Sequence, residues 1–348
     1  MTAALAPAFD VPPELEAGSP PETRGIARDG VRLMVAGRGD GRIVHTRFDH
    51  LPEHLARGDV LVVNTSRTLP AAVAASTPRG EPLVAHFSSP LPADDRLWVV
   101  EPRNSAGVGT VRHGGSRRGD RLALPGAAAV ELVAPYMGRR LWVARPHLPV
   151  APLDYLAQHG RPIRYAHTSG AWPIELYQTI FADEPGSAEM PSAARPFTER
   201  TTAALGAAGI EIVPVLLHTG VSSLEAGELP PPERFRVSSA AAATINAARA
   251  RGGRVVAVGT TVVRALAAAT GPGGDVRAAA GWTDVVIGPD RPAAGVDGLL
   301  TGWHEPGATH LDLIEAIAGS ALTARSYEEA VSHGYLWHEF GDVHLIVP

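Results

Sequence analysis

The sequence predicts an α/β protein that carries a smaller all-β segment. Three apolar runs are predicted to be buried strands, and each ends in a polar cluster: Val60–Val63, Ile210–Leu217 and Val255–Val258. Segments with helical patterns alternate with the last two runs, as expected around a parallel sheet. Between about residues 71 and 148 the pattern changes to short β-type runs separated by turn residues, which is typical of a small barrel or sandwich.

Composition supports a folded, water-soluble protein. The 348 residues are 45% hydrophobic and 19% charged, with a mean hydropathy of +0.02, so the chain can bury a core and extended disorder is excluded. The length favours two domains, although one large α/β domain with an insertion fits equally well.

Charge and cysteine content exclude several classes of function. The 31 basic residues are all arginine, and 36 acidic residues give a net charge of -5, which excludes a broad basic coat for nonspecific nucleic-acid binding but leaves a local basic patch open. The absence of cysteine excludes disulfides, cysteine-ligated metals and thiol nucleophiles. We find no leader-like start and no apolar run long enough for a membrane span, and we expect a cytoplasmic protein.

The first part of the chain is predicted to contain a short helix and then the β-rich region. The helix spans Leu51–Leu55 and precedes the strand Val60–Val63. Five further β-type runs follow at the spacing expected of a small β module: Leu83–Phe87, Leu97–Val100, Leu122–Leu124, Val130–Val133 and Leu141–Val143.

Capping signals place the helices after Pro152. Thr198 is predicted to cap a helix that Gly209 ends, and Ser238 or Ser239 to cap an alanine-rich helix that reaches Arg251. Four more elements and one capping box follow from the pattern: a helix over Val262–Ala269, a helix over Leu311–Ala318 with Thr309 and Asp312 as its capping box, and strands at Val285–Ile287 and Val343–Val347.

The polar clusters after the three buried strands predict a binding site. Ligands of α/β sheets bind outside the carboxyl ends of the strands, where side chains and helix N-termini converge. Asn, Ser and Thr at such positions also cap turns and helices, so one cluster alone would indicate little.

Common catalytic motifs are absent from the sequence. A lysine-free chain cannot contain the phosphate-binding GxxxxGK[ST] loop, and no GxSxG nucleophile elbow occurs. Gly37, Gly39 and Gly41 lack the flanking strand and helix of a dinucleotide site. His50 and His54 have no evident third ligand, so we predict surface histidines and no metal site.

An ordered series of motifs nevertheless resembles a known family, the S-adenosylmethionine:tRNA ribosyltransferase-isomerases of queuosine biosynthesis. The motifs span nearly the whole chain: Gly58-Asp59, Asn64-x-Ser66-Arg67, Tyr177-Gln178-Thr179, Gly186-Ser187, Pro191-Ser192, Phe197-Thr198, Leu217-His218-x-Gly220, Arg254 to Thr261 with Arg264, Asp297-x-Leu299-Leu300-Thr301 with His304, and Gly341-Asp342.

The resemblance implies an α/β main domain with an inserted small all-β, barrel-like domain. The boundaries we expect are 1–70 with 149–348 for the discontinuous main domain and 71–148 for the insertion. Members of the family transfer the ribosyl part of S-adenosylmethionine to the aminomethyl group of a 7-deazaguanine in tRNA and rearrange it, giving epoxyqueuosine and releasing adenine and methionine. The route begins with loss of the proton beside the sulfonium and requires no metal. S-adenosylmethionine is then a co-substrate and tRNA the partner, and we favour a monomer.

Candidate site residues follow from the resemblance, position by position. Proton transfer is assigned to His218, Glu233, His304 and Asp342. Substrate binding is assigned to Asn64, Arg67, Tyr177, Gln178, Thr179, Ser192, Gly220, Thr260, Thr261, Arg264 and Thr301.

The sequence also departs from the family pattern inside characteristic segments. The family run APTAGLHFT is here Met190 to Thr198, so a histidine is replaced by Pro196, which cannot donate even a backbone hydrogen bond. Other departures are Thr65, Pro231-Pro232, Ser222 to Leu224 and Gly302. Two alternatives therefore stay open: an S-adenosylmethionine-dependent transferase with a small-molecule acceptor, and a non-catalytic nucleoside-binding or RNA-binding paralogue.

Overall fold

A computed structural model describes residues 9–137, 140–221 and 230–348. Its strands, numbered along the chain, are β1 (Arg32–Gly37), β2 (Ile43–Arg47), β3 (Val60–Asn64), β4 (Ser66–Thr68), β5 (Ala72–Ser76), β6 (Pro82–Leu91), β7 (Asp94–Ala106), β8 (Gly109–Arg112), β9 (Arg121–Leu124), β10 (Ala128–Tyr136), β11 (Leu141–His147), β12 (Gly160–Arg161), β13 (Glu184–Ser187), β14 (Glu211–Leu217), β15 (Glu233–Val237), β16 (Val255–Val258), β17 (Ala279–Thr283), β18 (Gly298–Gly302) and β19 (Val343–Val347). Its α-helices are α1 (Pro152–His159), α2 (Glu199–Ala208), α3 (Ser239–Ala250), α4 (Thr260–Ala269), α5 (Thr309–Ala318) and α6 (Ser320–Ser332).

A nine-stranded mixed sheet forms the main body. Its strand order is β17-β15-β14-β3-β16-β18-β19-β1-β2, and the central four strands β14, β3, β16 and β18 are parallel. The predicted runs at Val60, Ile210 and Val255 all lie in this parallel centre. They are apolar throughout because both faces of a parallel sheet are covered.

The two faces of the sheet bury different side chains of the same strands. In β3, Val60 and Val62 pack in the cluster that contains α3, α4 and α5, whereas Leu61 and Val63 pack in a second cluster on the opposite face. The second cluster includes Phe197, which is fully buried. Burial of such a side chain contributes about 1.5–3 kcal/mol, so the alternation fixes the register of the sheet.

The inserted segment forms a closed barrel. Strands β5, β6, β7, β11, β10 and β9 pair in a ring, and each pairing is antiparallel. Strand β8 extends β7 outside the ring, and β12 pairs with β5. The predicted fold class, an α/β main domain with a small barrel-like all-β domain, is confirmed. Closure removes exposed strand edges, which explains how strands as short as β9 are tolerated.

The chain enters and leaves the barrel at neighbouring points. Gly160 pairs with Val73 and Arg161 with Ala72, so β12 lies beside the first barrel strand. The barrel strands occupy Ala72 to His147, within the predicted insertion. That 71–148 folds as a unit apart from 1–70 and 149–348 stays a prediction.

Most predicted helix ends agree with the structure. The hydroxyl of Thr198 accepts a hydrogen bond from the amide of Thr201, and Gly209 ends α2 in the left-handed conformation with a φ of 80°. Ser238 caps α3 in the same way. The predicted helix at Leu51–Leu55 is a 3-10 helix over Phe48–His54.

Two local predictions are wrong, and several elements were not predicted, among them β1, β2, β15, β18 and helix α6. Helix α5 begins at Thr309 itself and receives no side-chain cap, so the capping box does not form. Val285–Ile287 is not a strand, because β17 ends at Thr283 and the Val285 carbonyl accepts a hydrogen bond from Arg264 instead. Helix α6 starts directly after Gly319 without a capping signal. In the described ranges no helix combines the length and apolarity needed to cross a membrane.

Candidate active site

Four parallel strands end at one edge of the main sheet. Strands β3, β14, β16 and β18 run in the same direction, so the residues after them meet there. Asn64 and Thr301 lie at the ends of β3 and β18, and His218 and Thr260 follow β14 and β16. The edge therefore gathers the polar clusters that follow the buried strands, as the sequence predicted.

A cavity of about 350 Å³ opens beside this edge, a volume in the range of small-molecule sites. Eight of the predicted site residues line it: Tyr177, Ser192, Glu233, Thr260, Thr261, Arg264, Thr301 and His304. Within the described ranges, its lining includes no residue of 71–148; the barrel contributes indirectly, through the segment that follows it.

A buried ion pair between Glu233 and Arg264 forms part of the wall. The guanidinium donates to one carboxylate oxygen of Glu233, and the amide of Gly220 donates to the other at 3.2 Å. Both side chains are at least nine-tenths buried. Burial raises the pKa of Glu233, while Arg264 and the Gly220 amide act in the opposite direction. Because removing one partner would leave a buried charge unpaired, the pair fixes the position of β15 against α4.

A pair of stacked imidazoles lies at the end of β18. The rings of His304 and His310 are 4.5 Å apart between centroids and nearly parallel, and Nε2 of His304 is 3.0 Å from the hydroxyl of Thr301. Burial lowers the pKa of His304 well below its usual value and lowers that of His310 to about 4. Both rings are therefore neutral near pH 7, and a neutral ring can accept a proton.

Helix α4 begins at the cavity. Gly259 precedes it with a φ of 94°, a conformation that favours glycine, and Thr260 and Thr261 follow directly in the cavity wall. The N-terminus of a helix carries partial positive charge and free amide donors. This part of the wall is suited to a carboxylate or another electron-rich group of a ligand.

Several polar atoms of the cavity wall are buried without a partner among the described residues. They are the hydroxyls of Thr68, Tyr177 and Thr219 and the indole nitrogen of Trp303. An unsatisfied buried polar group costs about 1–3 kcal/mol, so such groups need an explanation in a folded protein. A polar ligand in the cavity would supply the missing hydrogen bonds.

Other predicted residues lie outside the cavity. The side-chain amide of Asn64 donates to the carbonyl of Leu217 at 2.8 Å and accepts from its backbone amide at 3.0 Å, and so joins β3 to β14. His218 bonds the hydroxyl of Ser66 at 2.7 Å through Nδ1 and lies 3.5 Å from Glu184 through Nε2. Burial lowers the pKa of His218, and Glu184 opposes this shift.

Gly220 has a backbone role at this place. Its amide donates to Glu233, and a Cβ at this position would lie 2.6 Å from the hydroxyl of Ser88. Only glycine therefore allows the loop after β14 to pass so close to β6.

The remaining predicted residues bond the protein itself or face solvent. Gln178 donates to the carbonyl of Thr68 and accepts from its amide. The Thr179 hydroxyl accepts from the amide of Phe181, and Arg67 is exposed on β4. Asp342 accepts from the amides of Arg32 and Leu336, both at 2.8 Å, and lies in a smaller neighbouring cleft. The roles assigned to these residues stay predictions.

Some cavity residues were missed by sequence reasoning: His167, Glu189, His310, His338 and Glu339. Each lies in a loop or at a helix start, where no periodicity marks a buried side chain. Glu189 sits between two recognised motifs, Gly186-Ser187 and Pro191-Ser192, and this was the one signal that could have identified it.

Several departures from the family pattern lie at the cavity or at the neighbouring cleft. Arg195 is buried and bonds Glu22 at 2.9 Å and the carbonyl of Leu176 at 3.0 Å. Pro196 lines the cleft that also contains Asp342, and Gly302 lines both this cleft and the main cavity. Ser222 to Leu224 lie outside the described residues. The hydrogen bonds of Arg195 therefore connect the segment Met190 to Thr198 to Glu22 in the N-terminal region.

Two groups of three side chains have ligand-type atoms within 4.8 Å of one another in the described parts of the chain: His45 with Glu329 and His333, and Glu16 with Glu305 and His338. Two members of each group are exposed, and their histidines pair with the neighbouring carboxylates. Ordinary ion pairs account for both groups, and we assign no metal to them.

Comparison with known proteins identifies relatives along the whole chain. A sequence model of the family described as "Queuosine biosynthesis protein" matches residues 7–346. The chain is 37% identical to the S-adenosylmethionine:tRNA ribosyltransferase-isomerase of Symbiobacterium thermophilum, covering 97% of this chain and 98% of that protein. It is also 37% identical, with the same coverage, to the protein of that name from Moorella thermoacetica.

A solved structure agrees with this result. The S-adenosylmethionine tRNA ribosyltransferase of Thermotoga maritima superposes with a TM-score of 0.55 at 26% identity, over 98% of this chain and 100% of that one. The match includes both the main sheet and the barrel region. The chain belongs to the queuosine biosynthesis protein family.

Proposed function

We propose that this protein is an S-adenosylmethionine-dependent ribosyltransferase-isomerase that acts on tRNA. It transfers the ribosyl part of S-adenosylmethionine to the aminomethyl group of a 7-deazaguanine, rearranges it to epoxyqueuosine, and releases adenine and methionine. Together with family membership, one observation carries the proposal: a single cavity at the sheet edge combines neutral imidazoles, carboxylates and unpaired polar groups. S-adenosylmethionine is consumed as a co-substrate, and no step is assigned to a metal.

The charge of the cavity suits two cationic substrates. Both the sulfonium of S-adenosylmethionine and a protonated aminomethyl group carry positive charge. The wall contains four glutamates, namely Glu189, Glu233, Glu305 and Glu339. Their carboxylates can attract these cations, while Arg264 prevents Glu233 from standing as an uncompensated charge.

His304 is the residue we assign to the first proton transfer. Loss of the proton beside the sulfonium needs a base that is unprotonated before the substrate binds. Burial keeps the imidazole of His304 neutral, and the contacts with Thr301 and His310 fix its orientation. Glu233 is less suited to this step because both of its oxygens already accept hydrogen bonds.

The unpaired polar atoms support binding of a nucleoside-sized ligand. Tyr177 and Trp303 each combine an aromatic surface with a donor that has no partner among the described residues. Such side chains can contact a purine or ribose face and also donate a hydrogen bond. The N-terminus of α4 would then hold the methionine carboxylate.

The barrel is the part of the molecule we assign to tRNA binding. It carries Arg112, Arg117, Arg118 and Arg121, all of them exposed. Arginine is suited to phosphate because its guanidinium can donate two parallel hydrogen bonds. The family resemblance implies that the 7-deazaguanine occupies the wobble position of tRNA. This nucleotide lies in a single-stranded loop, so its base can leave the stack and enter an enclosed cavity.

The test is incubation with labelled S-adenosylmethionine and three acceptors: tRNA that contains the aminomethyl-deazaguanine, unmodified tRNA, and the free aminomethyl-deazaguanine base. We expect adenine and methionine in equal amounts with the modified tRNA alone. Release with the free base at an equal rate would favour a small-molecule acceptor. Binding of S-adenosylmethionine without any release would favour a non-catalytic paralogue.

A further inference from the structure

A second pair of stacked histidines lines the cavity. The rings of His167 and His338 are 3.7 Å apart between centroids and 4° from parallel. His167 follows the barrel in the chain, and His338 lies in the loop between α6 and β19. The backbone of His338 has a φ of 71°, in the left-handed region that non-glycine residues rarely adopt. Residues held in such conformations are concentrated at functional sites.

A carboxylate holds one of these two imidazoles. Nε2 of His167 is 2.9 Å from a carboxylate oxygen of Glu339, and both side chains are mostly enclosed, with 13% and 20% of their surface exposed. Burial opposes charge on either group. Burial is the largest single influence on both, but the contact and the neighbouring charges together exceed it, so the pKa of His167 is raised and that of Glu339 is lowered. Both shifts favour an imidazolium paired with a carboxylate.

The other histidines of the cavity have lowered pKa values, the opposite of His167. Burial lowers the pKa values of His304 and His310, and burial together with the neighbouring His167 lowers that of His338 to about 4. One cavity thus combines neutral imidazoles with one that is kept protonated. Titratable groups whose environments separate their pKa values in this way are the usual acid and base of a reaction.

The barrel determines where His167 lies. The hydroxyl of Thr110 in β8 donates to the carbonyl of Arg164 at 3.0 Å, and Thr110 pairs with Tyr165 in an isolated bridge. The hydroxyl of Tyr165 in turn donates to Glu189. His167 is therefore held from two sides, by the barrel through its own segment and by the C-terminal loop through Glu339.

We propose that His167, held by Glu339, is the proton donor of the reaction and protonates the departing adenine. The glycosidic carbon–nitrogen bond breaks with its electron pair remaining on the purine nitrogen, a lone pair of the ribose ring oxygen forms a second bond to the anomeric carbon, and the imidazolium proton goes to the purine. Adenine leaves as a neutral molecule and His167 becomes a neutral imidazole, which solvent protonates again before the next turnover. This assignment rests on the proposed function.

The charged and titratable groups around His167 come from several elements. Glu339 and His338 lie in the C-terminal loop, Glu16 in the N-terminal segment, and Glu305 in the loop after β18. Tyr165, on its own segment, has its ring 6.2 Å away. The three carboxylates all favour the imidazolium, and burial opposes it.

The experiment compares two substrates in the wild-type enzyme and in variants. The first substrate is S-adenosylmethionine, and the second is its analogue with 8-azaadenine in place of adenine, whose anion is a weaker base and leaves with less help from an acid. The variants are His167→Gln and Glu339→Gln. The matched control is His50→Gln, an exposed histidine outside the barrel that bonds Glu53 at 2.8 Å and does not line the cavity.

For His167→Gln we expect about a hundredfold loss or more in kcat/KM with S-adenosylmethionine, the usual contribution of a general acid, and a much smaller loss with the analogue. In the wild type, kcat/KM should fall as pH rises through the raised pKa of His167, because the imidazolium is lost. Glu339→Gln should move this fall to lower pH. His50→Gln should leave the kcat/KM values for both substrates and the pH profile unchanged.

Equal losses with the two substrates, or an unmoved profile in Glu339→Gln, would overturn the proposal. If His167→Gln does not fold, the wild-type enzyme decides: the fall at high pH must be present with S-adenosylmethionine and weaker with the analogue. A wild-type enzyme that releases no adenine would overturn the proposed function itself. A wild-type enzyme that releases adenine while His167→Gln behaves like the control would overturn only the assignment of His167.

Discussion

His304 and His218 both follow strands that end at the same edge of the sheet, β18 and β14, yet the structure gives them different surroundings. His304 lines the cavity, stacks on another imidazole and has a hydroxyl as its hydrogen-bond partner. His218 lies outside the cavity, between Ser66 and Glu184. A strand end therefore brings a residue to the edge of the sheet, but the loops decide whether that residue faces a ligand.

The network around His218 extends into the backbone. Ser66 bonds the hydroxyl of Ser187 at 2.6 Å, and Ser187 accepts from the amide of Thr219 at 2.9 Å. The hydroxyls are fully buried with the strands β4 and β13. In this position an imidazole joins three segments of chain, whereas His304 has one face open to the cavity. The comparison suggests chemistry for one histidine and packing for the other.

The largest expected effect is a loss of turnover on substitution of His304, which lines the cavity. His304→Asn should reduce adenine release about a hundredfold to ten-thousandfold, because a neutral proton acceptor is lost and asparagine cannot replace it. The thermal midpoint should change by little, since asparagine can still bond Thr301. Adenine release and thermal unfolding are to be measured on the same preparation. Turnover within a factor of three of the wild type would remove His304 from the chemistry.

The second prediction is the reverse for His218: a loss of stability with little loss of turnover. His218→Asn should lower the free energy of unfolding by about 1–3 kcal/mol, because buried hydroxyls lose their partner, and should leave adenine release nearly unchanged. Denaturant titration and turnover measure the two quantities. A hundredfold loss of turnover in a protein of normal stability would instead place His218 in the reaction, as the family resemblance implies.

A smaller effect is expected for the unpaired hydroxyl of Tyr177. Tyr177→Phe should weaken S-adenosylmethionine binding by roughly fivefold to tenfold, the contribution of one hydrogen bond of about 1–1.4 kcal/mol. The free protein should be as stable as the wild type or more so, because the hydroxyl has no partner among the described residues. Calorimetric titration is the measurement. Unchanged affinity would mean that this part of the cavity does not contact the ligand.

The smallest effect concerns the barrel surface. Replacing Arg117 and Arg118 with glutamate should weaken tRNA binding several-fold at physiological salt and make its salt dependence shallower, because fewer counterions are released. Arg96→Glu is the control, since this exposed arginine already pairs with Asp94. Affinity that is indifferent to salt in the wild type would argue against phosphate contacts as the main source of binding.

The parts of the fold that were predictable are those with local signals. The strand Val60–Val63 is apolar throughout, and Thr198 and Ser238 are strong caps, so these elements could be placed from the sequence. Val285 was wrongly predicted to lie in a strand. Its carbonyl accepts a hydrogen bond from Arg264, twenty-one positions earlier, and a contact at that distance leaves no local sequence pattern. Helix α6 was missed because its start at Gly319 has the residue that usually marks an end.

Site residues that belong to recognisable motifs could be predicted from the sequence, whereas those in loops could not. Thr260 and His304 follow strands and Thr301 lies at the end of β18; all three belong to recognisable motifs and line the cavity. His167 and Glu339 meet at 2.9 Å although half the chain separates them. Their contact depends on the barrel holding one segment and the C-terminal loop holding the other. The sequence around either residue therefore gives no sign that the two side chains are in contact.

The pairing of β5 with β12 has a consequence for the order of folding. It brings together two chain positions separated by the whole barrel, and closing a loop of that length costs about 4 kcal/mol of chain entropy. If the barrel folds first, the segments on either side of it become near neighbours before the main sheet assembles. The nine-stranded sheet then needs fewer distant encounters than its strand order implies, and its assembly should be faster for that reason.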